Sequence, residues 1–276
     1  MKKFRILSCL FLLAVCNVPV HAASHDAIIQ LANGVQAAVY YPPAYAADSK
    51  GKTWPGLLFS HGFAGSALSQ DELLHRLAGL GILVIAIEHS DPVAFERIPP
   101  RKGDRRWSIL KYMRNHPFDE KTYDYRPREF AQFASEVLQR FPVDPQKLVF
   151  AGHSMGGYTI FNAYNQVSVK PVAMIVYSTG ELNFKRGHPY FSAAQLAAIK
   201  VPLLLTYGED EFDANKGPYA KEIQHLYGGP TEIMMIKGGG HLSYNDPAHW
   251  WGKKKRLQQI EVVFNRSREF LQKILQ

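Results

Sequence analysis

The hexapeptide G-H-S-M-G-G at residues 152–157 is the feature that most constrains how this chain can fold. It follows the apolar segment 147–151, which we interpret as a buried strand, and it precedes segment 158–164, which is typical of a helix. A Gly-x-Ser-x-Gly pattern at such a junction forms a sharp turn that lifts the serine hydroxyl above the sheet, where a histidine can reach it. A side chain at 152 or 156 would collide with a neighbouring element, and the turn strains the backbone of Ser154 itself.

Apolar runs and segments of helical periodicity alternate along the rest of the chain. The run 82–87 is continuous and rich in β-branched residues, which is typical of a parallel strand buried on both faces. The alternation predicts an α/β protein with a mostly parallel central sheet and helices on both faces, in a single domain over 23–276. We predict an edge strand at 35–41, further strands at 54–60, 82–87, 148–151, 172–177, 203–207 and 232–236, and helices at 70–80, 128–141 and 257–275.

The N-terminal segment has the pattern of a secretory signal peptide. A short basic stretch precedes the apolar run 6–15, and small residues then indicate cleavage after Ala22. We therefore expect an exported protein, periplasmic or secreted. Cys9 and Cys16 both lie in this segment, so the mature chain would contain no thiol and no disulfide.

The charge of the chain indicates no nucleic-acid partner. The formal net charge is +8, and cleavage after Ala22 would remove three of the positive residues, Lys2, Lys3 and Arg5. The remaining basic residues are not interleaved with stacking aromatic residues along one face, as a nucleic-acid-binding surface would require.

A serine nucleophile needs a histidine to accept its proton and a carboxylate to orient that histidine. In this type of fold the chain order is serine, acid, histidine. We predict that His241 is the base, because it follows three glycines directly after the last predicted strand. His153, beside the serine, and His249, before two tryptophans, are interpreted as packing residues.

The acid should lie in the loop after the strand at 203–207. That loop contains several carboxylates within 208–213, and we favour Asp210, then Glu211, then Asp213. Should none of these be the acid, the next candidates are Glu181 and Asp246.

Acyl transfer also requires hydrogen-bond donors for the oxyanion that develops on the substrate. The backbone N–H of Met155, directly after the nucleophile, is one predicted donor, and that of Phe63, in the loop after the strand at 54–60, is the second. We assign His61 and Tyr177 to the substrate pocket, which Tyr190 and Phe191 would also line.

Together these residues resemble the α/β-hydrolase family over nearly the whole mature chain. Within that family, three stretches are similar to bacterial platelet-activating-factor-acetylhydrolase-like and dienelactone-hydrolase-like serine esterases: H-G-F at 61–63, A-I-E-H-S-D at 86–91 and the hexapeptide at 152–157. The segment Y-R-P-R-E at 125–129, which would open a helix, fits the same group.

The resemblance implies an α/β-hydrolase fold and a serine hydrolase for carboxylic esters that needs no metal or other cofactor. It implies Ser154 as nucleophile, His241 as base and an acid from the 208–213 loop. Two departures matter. The family's acid commonly lies three or four positions after the loop glycine, which favours position 211 or 212, and dienelactone hydrolases commonly use a cysteine where this chain has serine.

The substrate would be determined mostly by segments 88–127 and 179–196. The first combines basic and apolar residues and is interpreted as either a solvated loop or a lid for a lipid-like or anionic ester. Membrane contact is possible only through this first segment, 88–127. The principal hypothesis is a secreted serine esterase acting on a small-molecule or lipid-like ester; the others are an acyltransferase or a lipase or phospholipase using the same site, and a catalytically silent hydrolase fold used for binding.

Overall fold

The computed structural model describes residues 26–45, 51–63, 65–89, 120–179, 192–210, 216–246 and 253–276. Eight strands in this part of the chain form one sheet in the order β1-β2-β4-β3-β5-β6-β7-β8. The two contacts made by β2 are antiparallel, and the pairings from β4 across to β8 are parallel. The strands are β1 Ala27–Gln30, β2 Gln36–Tyr40, β3 Trp54–Ser60, β4 Leu83–Ile87, β5 Val143–His153, β6 Ala173–Tyr177, β7 Leu203–Gly208 and β8 Thr231–Ile236.

Helices cover both faces of the sheet because the side chains of each strand alternate between two apolar cores. In β4, Leu83 and Ile85 enter one core while Val84 and Ala86 enter the other. One face is covered by α2 Glu120–Arg140, α3 Met155–Ala163, α4 Ala193–Ala198 and α5 Lys216–Leu226; the opposite face is covered by α1 Asp71–Ala78 and α6 Lys253–Leu275.

The predicted architecture, a mostly parallel sheet with helices on both faces, is confirmed, and each predicted strand and helix overlaps an observed one. One prediction about the sheet is wrong: the segment 35–41 is not at the edge, because β1 pairs with its outer side. Helix α2 also begins at Glu120 and continues through Pro127, earlier than the predicted start at 128. The short elements β1, α4 and α5 were not predicted.

The parallel strands bring polar residues together at their carboxyl ends, where ligands bind in open α/β sheets. Ser60 ends β3, His89 follows β4, Ser154 follows β5 and Ser178 follows β6. Among the described helices, none is long and apolar enough to cross a bilayer.

Candidate active site

Ser154 occupies a strained turn between β5 and α3. Its backbone has φ 54° and ψ −117°, a region that non-glycine residues rarely adopt. Its N–H donates to the carbonyl of Tyr177 on the neighbouring strand, at 2.9 Å. The strain predicted for this residue is therefore present, and the side chain is only partly buried at the carboxyl edge of the sheet.

The glycines around Ser154 leave no room for a side chain. A β-carbon on Gly156 would lie 1.9 Å from the carbonyl oxygen of Ser60, and one on Gly152 would lie 2.4 Å from the carbonyl carbon of Gly156. Both contacts are with backbone, which cannot move aside without shifting a strand or helix. The predicted collisions at 152 and 156 are confirmed.

His241 is in contact with the serine. Its Nε2 lies 2.9 Å from Oγ of Ser154, within hydrogen-bonding distance. The loop that carries it leaves β8 through Gly238, whose φ of 60° favours glycine. A histidine at this distance can accept the hydroxyl proton as the oxygen attacks a carbonyl.

His153 contacts the loop that carries His241. Nε2 of His153 lies 2.8 Å from the carbonyl oxygen of His241, so that nitrogen is the donor. The His153 ring also packs against the rings of His241 and Tyr244. This is the packing role expected for His153. Its hydrogen bond fixes the backbone of His241 relative to the end of β5.

Nδ1 of His241 contacts a hydroxyl that was not predicted from the sequence. Oγ of Ser178 lies 2.9 Å from that nitrogen. Ser178 also has a positive φ, 52°, directly after β6. Its backbone N–H donates to the carbonyl of Thr206 on β7. If Nδ1–H donates to Ser178, Nε2 is left as the acceptor for the Ser154 hydroxyl, which is the tautomer that general-base chemistry requires. The carboxyl-end position of Ser178 was the signal that could have identified it.

The favoured acid, Asp210, is not placed against His241. The residue is exposed, and its backbone N–H donates to the carbonyl of Gly239 at 2.6 Å. Among the hydrogen bonds of the described residues, its carboxylate has none to the imidazole. Glu211, Asp213 and Glu181 lie outside the described residues, as does His249.

The predicted oxyanion donors lie on either side of Ser154. Met155 is the first residue of α3, so its N–H belongs to the unsatisfied first turn of a helix, where negative charge is favoured. Phe63 lies in the loop after β3. That loop passes directly beside the nucleophile, since a β-carbon on Gly62 would lie 3.2 Å from Cβ of Ser154.

Both residues assigned to the substrate pocket are buried. Tyr177 is fully buried, and its hydroxyl bonds Ser267 of α6 at 3.0 Å, because its strand position directs it into the core. His61 is also buried, and both ring nitrogens face backbone groups: Nδ1 the carbonyl of Gly62, and Nε2 the N–H of His89. The lid interpretation falls mainly on 90–119, outside the described residues, as do Tyr190 and Phe191.

Several known structures with a similar fold are described as esterases, hydrolases or peptidases. Esterase 2 of Thermogutta terrifontis, solved after phosphorylation by paraoxon, has a TM-score of 0.63 and 17% identity over 92% of this chain and 95% of its own. A predicted CIB-like hydrolase from Thermoplasma acidophilum has a TM-score of 0.52 and 14% identity over 88% and 99%. A puromycin-hydrolyzing peptidase of Mycobacterium tuberculosis has a TM-score of 0.60 and 16% identity over 92% of this chain, which spans 41% of that protein.

These likenesses establish the fold. The chain has the α/β-hydrolase fold, as the resemblance in its motifs implied. No protein-family model matches the sequence, and no curated protein matches it significantly.

Asp246, a reserve candidate for the acid, performs a different task at the base of the His241 loop. The backbone N–H of Glu72, in the first turn of α1, donates to both carboxylate oxygens of Asp246, at 3.1 and 3.3 Å. The backbone N–H of Asp246 donates to the carbonyl of Ser69. Burial raises the pKa of Asp246 from 3.8 to about 7, helped by the charges of Asp71 and Glu72 and opposed by the backbone N–H bonds. The folded protein thus binds this proton more tightly than the unfolded chain.

We expect Asp246→Asn to stabilise the protein at alkaline pH. A raised folded-state pKa means that the contribution of Asp246 to stability is complete below pH 3.8 and is lost as the pH rises through about 7. Asparagine keeps the acceptor for Glu72 and removes the titration. Thermal unfolding should give the variant a Tm a few degrees above that of the parent at pH ~8. This difference in Tm should shrink as the pH is lowered. A variant that is less stable than the parent at alkaline pH would contradict this account.

Proposed function

We propose that this protein is a serine hydrolase that cleaves carboxylic esters through an acyl-enzyme on Ser154. The observation that carries the proposal is the 2.9 Å contact between Oγ of Ser154 and Nε2 of His241, made at a strained turn on the carboxyl edge of the sheet. A serine hydroxyl becomes a nucleophile when a neighbouring imidazole can take its proton. The partly buried position of both side chains leaves them accessible to a small ester.

The proposed reaction proceeds in two halves. As Oγ of Ser154 attacks the ester carbonyl carbon, its proton passes to Nε2 of His241, and the carbonyl oxygen becomes an oxyanion that accepts the N–H groups of Met155 and Phe63. Collapse of this intermediate breaks the bond to the alcohol, which leaves with the proton from His241. Water then attacks the acyl-enzyme by the same route, releasing the acid and restoring the serine hydroxyl.

Two groups are proposed to share the orientation of His241. The hydroxyl of Ser178 is in place on Nδ1 and supports the required tautomer, but it carries no charge to stabilise an imidazolium. A carboxylate from the loop after β7 would supply that charge. Because the carboxylate of Asp210 does not bond the imidazole, Glu211 and Asp213 are the proposed sources.

The named neighbours bear on the choice of substrate. Esterase 2 of Thermogutta terrifontis is an esterase solved with butyrate and with propionate, and it is phosphorylated by paraoxon and phosphonylated by cyclosarin. By analogy, we propose short-chain esters as substrates and organophosphates as covalent inhibitors of this protein. The motifs at 61–63, 86–91 and 152–157 support the narrower assignment to the platelet-activating-factor-acetylhydrolase-like and dienelactone-hydrolase-like esterases.

Ser154→Ala should abolish ester hydrolysis while leaving the fold intact, because the hydroxyl faces the site and not the core. Loss of the nucleophile in such a triad costs on the order of 10⁶ in kcat. The measurement is hydrolysis of p-nitrophenyl esters from acetate to palmitate, together with labelling by a fluorophosphonate probe and a thermal unfolding curve.

Ser168→Ala, at an exposed serine remote from the site, is the matched control and should retain activity and label. If Ser154→Ala retains more than about a tenth of the parent kcat, Ser154 is not the nucleophile. A parent protein that neither turns over nor takes the label would instead indicate a silent fold. Maximal activity on palmitate would favour a lipase, and product transfer to an added alcohol would favour an acyltransferase.

The orienting groups can be separated by four single variants: Asp210→Asn, Glu211→Gln, Asp213→Asn and Ser178→Ala. We expect one of the variants at 211 and 213 to lose roughly 10⁴ in kcat, because removing the charge leaves the imidazolium unsupported. Asp210→Asn should remain near full activity, and Ser178→Ala should lose less than the acid variant. If all three carboxylate variants remain fully active while Ser178→Ala does not, the hydroxyl alone orients His241 and the proposed acid is wrong.

We also propose that the protein is exported and that the mature chain begins at Ala23. The basic and apolar N-terminal pattern ending at Ala22 supports this. Intact-mass measurement on protein recovered outside the cytoplasm should match a chain that starts at Ala23. A mass that still includes residues 1–22, or a lipid on Cys16, would contradict the proposal.

A further inference from the structure

A fully buried set of polar side chains lies directly behind the loop that follows β3. Oγ of Ser60 contacts Nε2 of His89 at 2.7 Å, and Nδ1 of His89 contacts the carboxylate of Glu129 at 2.6 Å. This series resembles the order of a catalytic triad, but Ser60 and Glu129 have exposed fractions of 0% and 2%, so no substrate can reach it. Its role must lie in what it holds.

Arg126, three residues before Glu129 on α2, extends this set to the loop itself. The guanidinium is completely buried, with 0% of the residue exposed. Nη1 donates to the carbonyl of His61 at 2.8 Å, and Nη2 donates to the carbonyl of Gly62 at 3.3 Å. Burying an arginine is costly unless its donors are used, and these two carbonyls accept from both of its terminal nitrogens.

The carbonyl of Gly62 receives further donors. Nδ1 of His61 lies 2.7 Å from it and the N–H of Gly65 lies 3.1 Å from it. The tautomer of His61 follows from its other contact: Nε2 accepts the N–H of His89 at 3.1 Å, so the proton is on Nδ1. The Gly62 carbonyl is therefore held by an imidazole, a guanidinium and a backbone amide.

Fixing this carbonyl also fixes an N–H group. A peptide unit is planar and trans, so its C=O and its N–H point in opposite directions. The carbonyl of Gly62 and the N–H of Phe63 belong to the same unit, so the N–H is directed away from Arg126. Gly62 itself lies against the nucleophile, because a β-carbon added to it would be 3.2 Å from Cβ of Ser154.

We propose that Arg126, together with His61, positions the oxyanion hole by holding the Gly62–Phe63 peptide with its carbonyl inward and its N–H presented to the substrate oxygen. This inference rests on the proposed function. Neither side chain touches the substrate; both are positioning residues that act through the peptide unit. The Ser60–His89–Glu129 series supports them, because it holds His89, whose backbone N–H fixes the His61 tautomer.

Charge adds to geometry in this arrangement. A cation beside a carbonyl oxygen draws electron density toward that end of the peptide and makes its N–H a stronger donor, an effect that a low local dielectric preserves. Arg126 thereby transmits part of its positive charge to the oxyanion. Lysine in its place would keep the charge but could not bond both carbonyls in the fixed fork of arginine.

The test compares Arg126→Met with Arg128→Met, the exposed arginine two residues along the same helix. Thermal unfolding reports the fold, a short p-nitrophenyl ester gives kcat and KM, and a boronic acid that forms a tetrahedral adduct on Ser154 reports binding of the transition-state shape. In Arg126→Met we expect kcat to fall by roughly 10²–10³, as when one oxyanion donor is lost, with KM within a few-fold of the parent. Boronate affinity should fall in parallel, Arg126→Lys should be intermediate, and Arg128→Met should match the parent.

A folded Arg126→Met that keeps kcat and boronate affinity within about threefold of the parent overturns the inference and leaves the proposed function standing. A parent protein that lacks turnover and does not label at Ser154 defeats the proposed function itself, a separate result. If Arg126→Met does not fold, His61→Phe takes its place, since it removes one donor from the Gly62 carbonyl and keeps the arginine. That variant must show the same loss of kcat at constant KM, and unchanged kcat would overturn the inference.

Discussion

Close backbone contact between α3 and the end of β3 is the constraint on which the site depends. Gly156 lies so near the carbonyl of Ser60 that a single added carbon would overlap it. Because β3 leads into the loop of Gly62 and Phe63, and α3 begins directly after Ser154, this contact sets the nucleophile and the oxyanion loop relative to each other. A second contact of the same kind joins Gly208 at the end of β7 to the loop of the base, where a β-carbon added to Gly208 would lie 2.4 Å from the carbonyl oxygen of Gly239.

Among the residues that the structure describes, three other histidines lie near the site, and each has a structural use that differs from that of His241. His153 donates to the carbonyl of His241, His61 donates to that of Gly62, and His89 joins Ser60 to Glu129. Irregular loops at a buried sheet edge expose both N–H and C=O groups that need partners. A neutral imidazole offers one donor and one acceptor on a compact ring, so it can satisfy two such groups at once.

The sheet and the nucleophile could be predicted because their signals are local. A continuous β-branched run identifies a buried strand, and glycines two positions before and after Ser154 identify the turn. The prediction that β2 lies at the edge of the sheet was wrong, because the alternating pattern of the four-residue strand β1 is too short to recognise. The contact of Ser178 with Nδ1 was missed, although Ser178 directly follows a predicted strand, because Ser178 and His241 are far apart in sequence and meet only when β6 and β8 are assembled. The burial of His61 and Tyr177 was not predicted, because position at a strand end does not say which way a side chain points.

The contact between His89 and Glu129 joins residues on either side of the segment 90–119, since one precedes it and the other follows on α2. Arg126 ties the same helix to the loop of Gly62. The described residues that precede and follow that segment are thus tied to each other, and α2 is tied to the loop beside Ser154. Because the bonds that hold the Gly62 loop are made by side chains outside 90–119, a substitution within that segment removes none of them.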